Sequence, residues 1–165
     1  MLSIVNHPHP ALSTAAEAVS VFDKALCALV DEMTQTMYAS GGVGLAAPQV
    51  NVSQRVLLID PSGGEEPNQL MVMINPSVIW ASKEMVQAAE GCLSLPGVIL
   101  QVLRHLAIEV EYLDVTGNSL QHMKLVGMSA RIVQHEIDHL DGVTMLSKVG
   151  HAQRTFALKE LGKNR

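Results

Sequence analysis

Gln134-His135-Glu136-Ile137-Asp138-His139-Leu140-Asp141-Gly142 is the stretch around which the rest of the chain can be read. It holds an H-E-x-x-H arrangement, and the segment from Met128 to Leu140 that carries it is helical by pattern. Residues four apart on a helix share a face, so His135 and His139 can reach one metal ion while Glu136 lies beside the open coordination site. Gly142 stands just past the last apolar residue, where a C-terminal cap is expected. Short motifs of this kind recur by chance, so the flanking residues have to support it. Met128 and Ile132 continue the stripe of the histidines, whereas Val133, Ile137 and Leu140 form a second apolar stripe suited to packing on a sheet. The histidines are therefore expected to face a pocket rather than bulk water.

A catalytic site built on two histidines needs a third protein ligand and an open position. After His139 the only histidine is His151 and the only glutamate is Glu160, and neither sits in a motif. Upstream, Glu90-Gly91-Cys92-Leu93-Ser94-Leu95-Pro96 holds a cysteine between glycine and a short apolar stretch, and its thiolate would make a good third ligand. His7, His9, His105, His122 and His151 have no partner at ligand spacing and read as structural; His7 and His9 flank prolines, as in a turn.

The 165 residues are 48% hydrophobic and 16% charged, which predicts one compact domain over residues 1–165 with a sizeable core. A net charge of −5 argues against a sequence-independent grip on nucleic acid, which needs dense Lys and Arg against phosphates. No apolar run approaches the roughly 20 residues that span a bilayer. The segment Met1 to Pro10 lacks the features of a secretory or transit peptide, so a cytoplasmic, bacterial location without membrane contact is expected. Two cysteines, Cys27 and Cys92, do not suggest a disulfide scaffold.

From Val21 to Ala39 the residues Leu26, Leu29, Val30, Met33 and Met37 recur at helical spacing, with Ser20 and Asp23 placed as an N-cap and its N3 partner. That helix is expected to stop at Gly41-Gly42, with Cys27 inside it as a small hydrophobe. Val56 to Asp60 and Leu70 to Ile74 read as buried strands. Alternation from Ile108 to Tyr112, followed by Thr116-Gly117-Asn118, reads as a half-buried hairpin. A last helix is expected from His151 to Leu161. The fold class is thus α+β, with short, mostly antiparallel strands around the H-E-x-x-H helix and helices towards both ends.

Three segments together resemble the peptide deformylase family: Gly42-Val43-Gly44-Leu45-Ala46-Ala47-Pro48-Gln49, Glu90-Gly91-Cys92-Leu93-Ser94, and the stretch from Gln134 to Gly142. They match its G-x-G-x-A-A-x-Q, E-G-C-L-S and Q-H-E-x-D-H-L-x-G signatures in the family's order, and the similarity runs over nearly the whole chain, including Ile74-Asn75-Pro76. The resemblance implies a hydrolase that removes the formyl group from N-terminal formyl-methionine of new proteins. It implies Cys92, His135 and His139 as metal ligands, Glu136 as general base, and the Gln49 amide and Leu93 N–H as donors to the developing oxyanion. It places Val43, Met128, Ile132 and the His135 ring around the methionine side chain, with Gly44 and Gly91 bonding the peptide main chain. It further implies ferrous iron in the cell, with zinc, nickel or cobalt able to occupy the site, and formyl-methionyl nascent peptides, with the ribosome near its exit tunnel, as partners. Donor chemistry alone does not choose the metal, since a Cys-His-His set suits several.

Where many members carry an arginine a few residues after E-G-C-L-S, this chain has Ile99; it also has Leu103 and Ser13 where the family pattern has proline and arginine. Ile99 either lines the path of the substrate peptide or packs into the domain. Other readings of the motifs are a zincin-like endopeptidase independent of Cys92, a silent relative that has lost a ligand or base, and a closed structural zinc site with a fourth ligand.

Overall fold

The computed structural model describes residues 1–67 and 69–163. An extended N-terminal segment and a single 3-10 turn at Pro10–Ser13 precede the first helix, α1 (Lys24–Ala39). Asp23 caps α1, its carboxylate accepting the N–H groups of Ala25 and Leu26 at 2.9 and 3.0 Å. The expected start at Val21 with Ser20 as cap is corrected: the cap is the side chain that takes two orphan amides, and Val21 stays outside, 64% exposed. Leu26, Val30, Met33 and Met37 face inward. Cys27, about 100° round the helix from Leu26, is exposed, so the expectation of a packed cysteine does not hold.

The strands are β1 (Gly44–Ala46), β2 (Val56–Ile59), β3 (Met71–Ala81), β4 (Met85–Gly91), β5 (Ile99–His105), β6 (Ala107–Leu113) and β7 (Leu120–Val126); α2 (Met128–Leu140) and α3 (His151–Lys163) follow. One antiparallel sheet has the order β1-β2-β3-β6-β7, and β4 and β5 form a separate antiparallel ribbon. The fold is α+β, as the alternation and helical patterns required.

The pleat of β2 shows why the sheet sits between helices. Leu57 and Ile59 point to the cluster that contains Val133 and Leu140 of α2, while Val56 and Leu58 point to Leu26, Val30, Met33 and Met37 of α1. All four β2 side chains are fully buried, each worth roughly 1.5–3 kcal/mol of transfer free energy. A third cluster joins Leu100 and Val102 of β5 to Met145, Leu146, Ala157 and Leu161, fastening the ribbon to the C-terminal helix.

Two strand expectations were incomplete. β3 does not end at Ile74 but runs to Ala81, with a register shift between Ile74 and Ser77. Pro76 offers no N–H to the ladder, and Asn75, at φ +51°, turns its side chain to the N–H and C=O of Val19 at 2.8 and 2.9 Å. The β4–β5 ribbon was not foreseen, because Arg104 occupies an inward position of β5 and breaks the apolar alternation. α2 has the expected bounds, and α3 runs past the expected end at Leu161 to Lys163. Among the described residues no helix is long and apolar enough to cross a membrane.

Candidate metal centre and catalytic site

α2 lies with one face on the large sheet and the other towards the β4–β5 ribbon. The second face carries His135 and His139, whose ring centroids are 5.0 Å apart. Cys92 follows β4 directly, in the turn before β5, and its Sγ lies 3.3 Å from His139 Nε2. The donor atoms of Cys92, His135 and His139 all lie within 4.8 Å of one another. A shared ion with bonds of about 2.0–2.3 Å sets tetrahedral donors roughly 3.3–3.8 Å apart, so the three fit such an ion after small side-chain adjustments and leave one position open.

The ring of His135 is fixed from behind. Its Nδ1 lies 2.9 Å from Glu90 Oε2, and since a carboxylate only accepts, Nδ1 carries the hydrogen and Nε2 is the ring atom that could ligate a metal. Glu90 also accepts from Arg104 Nε and Nη2 at 2.9 and 3.0 Å and from Arg131 Nη1 at 2.7 Å. Burial alone would raise the Glu90 carboxyl; the bonds from His135 and Arg104 and the Arg104 charge outweigh it and hold the group well below the usual carboxylate range. Arg131 also donates to the carbonyls of Val102 and Val86, and Arg104 reaches Asp138, which Lys148 approaches at 3.1 Å.

Burial and the charges of His135 and Arg104 push His139 well below its ordinary value, which favours the neutral imidazole a metal needs. His135 moves the other way: burial lowers it, but Cys92, Glu90 and Glu136 together favour the protonated ring, so an ion taken up there displaces a proton. Burial pushes Glu136 up to about 7. The Glu136 Oε2 and His139 Nδ1 atoms are buried without a hydrogen-bond partner among the described residues. A buried carboxylate oxygen with no protein partner, beside three converging donors, is placed where a proton acceptor could act.

β1 crosses close over α2. A Cβ at Gly44 would run into the Glu136 carboxylate and stand 2.7 Å from Ile132 Cγ2, so only glycine allows this approach. Gln49, 1% exposed, sits in the single 3-10 turn Ala47–Val50, with Oε1 accepting the Ala46 N–H at 2.9 Å. Its Nε2 faces Cys92 Sγ at 3.7 Å. Leu93, next to Cys92, is half-buried.

These residues open onto a cavity of about 500 Å³. Val43, Gly44, Gly91, Met128 and Ile132 line it together with Gln49, Cys92, Leu93, His135 and Glu136, while His139 stands behind the lining. Every residue singled out in the sequence for the metal, the base, the oxyanion or the substrate is therefore in one place. Ile99 lies on the cavity lining and is 61% exposed, which sets aside the reading in which it packs into the domain. Leu103 is 52% exposed on the outer face of β5, and Ser13 belongs to the turn Pro10–Ser13, outside this cavity.

The residues that sequence reasoning missed are Arg104 and Arg131, while Glu90, Ser94 and Asp138 entered it only as letters of the motifs. A signal existed: Arg131 precedes His135 by four positions on the same helix, and Arg104 shares its inward register with Leu100 and Val102. A charge in such a place requires a buried partner.

Residues 1–155 match the polypeptide deformylase family. A peptide deformylase of the cyanobacterium Picosynechococcus sp. is 41% identical over 158 residues, covering 91% of this chain and 84% of that protein. The chloroplastic peptide deformylase 1B of rice (Oryza sativa subsp. japonica) is 38% identical over 148 residues; the match takes in 90% of this chain but spans only 55% of the rice protein. Among solved structures, a peptide deformylase from Synechococcus elongatus in complex with actinonin superposes with a TM-score of 0.93 at 37% identity, over 98% of this chain and 88% of that one. The chain belongs to the peptide deformylase family, the metal-dependent hydrolases that remove the formyl group from the N-terminal methionine of newly made proteins.

Proposed function

We propose that Cys92, His135 and His139 hold one divalent ion, that Glu136 moves the proton, and that residues 1–165 act as one catalytic domain on formyl-methionyl nascent peptides. The observation that carries this reading is the Glu136 carboxylate, 4% exposed and with its Oε2 unpartnered, beside three converging metal donors. A divalent ion held there supplies Lewis-acid charge and makes water a stronger acid near neutrality. Glu136 accepts the proton of the attacking water and passes it to the amide nitrogen as the C–N bond breaks, which yields formate and a free amino terminus. Gln49 Nε2, 3.7 Å from Cys92 Sγ, and the Leu93 N–H are the donors we assign to the negative charge that grows on the formyl oxygen.

Val43, Met128, Ile132 and the His135 ring offer the apolar surroundings a methionine side chain needs. β1 pairs only with β2, and β4 only with β5, so Gly44 and Gly91 sit on strands with one open edge among the described residues. An extended peptide laid there can bond main chain to main chain. Ferrous iron is our reading of the cellular ion, supported by the likeness to the family; zinc, nickel or cobalt suit the same thiolate and imidazoles. We place the reaction in the bacterial cytoplasm, where formylated chains leave the ribosomal exit tunnel, in keeping with the bacterial relatives.

Incubation of anaerobically prepared protein with a formyl-methionyl tripeptide, alongside an N-acetylated peptide with internal bonds only, tests the reading. Formate and free amine in equal amounts from the first, with the second untouched, is expected. Internal cleavage without formate would overturn it.

A further inference from the structure

Three segments far apart in sequence close a ring of hydrogen bonds behind the site. The Val5 N–H donates to the Gln49 carbonyl at 2.8 Å, and the His7 N–H donates to the Ser94 carbonyl at 3.0 Å. Inside the ring, Gln49 Nε2 donates to the Ser94 hydroxyl at 3.3 Å. Gln49 and Ser94 are 1% and 0% exposed, so water cannot readily replace these bonds.

The amide of Gln49 has two N–H hydrogens and one carbonyl oxygen. Only the oxygen can meet the Ala46 N–H, which fixes which end faces Cys92. The Ser94 hydroxyl then takes one amide hydrogen and leaves the other pointing into the site. Orientation is settled in this way, but position depends on how the main chains of residues 49 and 94 stand relative to each other. Neither belongs to a strand: Gln49 is in the 3-10 turn Ala47–Val50, and Ser94 lies in the connection between β4 and β5. Residues 5–7 bond to both. The segment is itself anchored, with the Leu2 N–H on Thr36 Oγ1 of α1 at 2.9 Å and with Leu2 and Ile4 packed on the cluster around α1.

We propose that the N-terminal segment is a positioning strap for the Gln49 amide, with Val5 and His7 acting through their backbone N–H groups and Ser94 through its carbonyl and hydroxyl. The proposal rests on the reading of Gln49 as a donor to the oxyanion. Loss of the strap lets the amide drift from the place where charge develops, and such a donor acts on turnover more than on substrate binding.

A double-mutant cycle in the full chain tests it. Val5→Pro removes the donor to Gln49, and Ser3→Pro, two residues earlier, serves as the control for a proline in this segment. Val5→Pro is expected to lower kcat by about tenfold, since misplacement of order 1 Å can cost up to about 10²-fold. KM, metal per chain by elemental analysis and the circular dichroism spectrum stay as in wild type, and Ser3→Pro keeps its kcat. In a Gln49→Leu background Val5→Pro should cost nothing further. An unchanged kcat in Val5→Pro, or the same fold-loss with and without Gln49, overturns the strap. If Gln49→Leu alone leaves kcat unchanged, the oxyanion reading fails first and the strap with it. Should Val5→Pro not fold, His7→Pro, which removes the N–H donor to the Ser94 carbonyl, runs the same cycle with the same two deciding outcomes.

Discussion

Glu90 Oε2 and His135 Nδ1 stand 2.9 Å apart, both buried, and this bond fixes the tautomer of the ring and leaves Nε2 for the ion proposed there. The carboxylate that makes it is held in turn by two guanidinium groups. Glu90→Gln keeps the shape but removes the charge, leaving Arg104 and Arg131 without their shared counterion. We expect metal affinity to fall by about 10–100-fold, the usual effect of losing such a support. Stability should drop by roughly 3–5 kcal/mol, as when one partner of a buried pair is removed. Chelator competition and urea unfolding read the two effects, and an unchanged metal affinity would show that Glu90 does not orient the ligand.

The two cysteines make opposite predictions. Cys92→Ser should lose metal or change the metal retained, because a neutral hydroxyl is a far poorer ligand than a thiolate. Cys27, exposed on the outer side of α1, should be replaceable by serine with no change in metal per chain. Equal metal loss in the two folded variants contradicts the ligand set.

Tyr38 and Asp60 give the fold a pH signature away from the metal. The Tyr38 hydroxyl donates to Asp60 Oδ2 at 2.6 Å. Burial, together with the Asp60 bond and charge, pushes the phenol up to about 12. A phenol that ionises near 10 when unfolded and near 12 when folded binds more protons in the folded state between these values. Its contribution is therefore complete below pH about 10 and lost as pH rises through the folded value. Asp60 is shifted down, because bonds from Ser62 and Tyr38 outweigh its burial, so its contribution is lost on the acid side as pH falls through its folded value. The urea midpoint of wild type should exceed that of Tyr38→Phe at pH 8, and the gap should narrow above pH 10. A gap that stays constant through pH 11 refutes the assignment.

Ile99, exposed on the cavity lining, should bias the enzyme towards apolar rather than acidic residues after the methionine. Covering part of its side chain is worth about 1 kcal/mol, or roughly fivefold in kcat/KM. Ile99→Arg should reverse part of that bias on formyl-methionyl tripeptides with leucine or acidic residues at the second and third positions. Identical ratios in the two enzymes would sink the idea.

Much of this molecule could be read from the chain because its decisive contacts are local. His135 and His139 share a helix face through their spacing alone, and of the two stripes read beside them Ile132 reaches the cavity while Val133 and Leu140 stay in the core against the sheet. Gly44 and Gln49 were placed by resemblance to a loop motif. The Glu90 network escaped because its members are 14, 41 and 45 residues apart, a distance at which no spacing rule operates. The same is true of Val5 with Gln49. β3 was cut short at Asn75-Pro76, where a register shift carries the strand through a residue that cannot donate. Cys27 was misjudged because apolar neighbours in sequence lie on another side of the helix.

The most direct test of the account is Glu136→Gln. The substitution keeps the size of the side chain and touches none of the three metal donors, but an amide cannot take the proton of water. Metal per chain should equal that of wild type, with formate release from a formyl-methionyl peptide lower by about 10²–10⁴-fold or more. A variant that holds its metal and still releases formate at nearly the wild-type rate would contradict the assignment of Glu136 as the group that moves the proton.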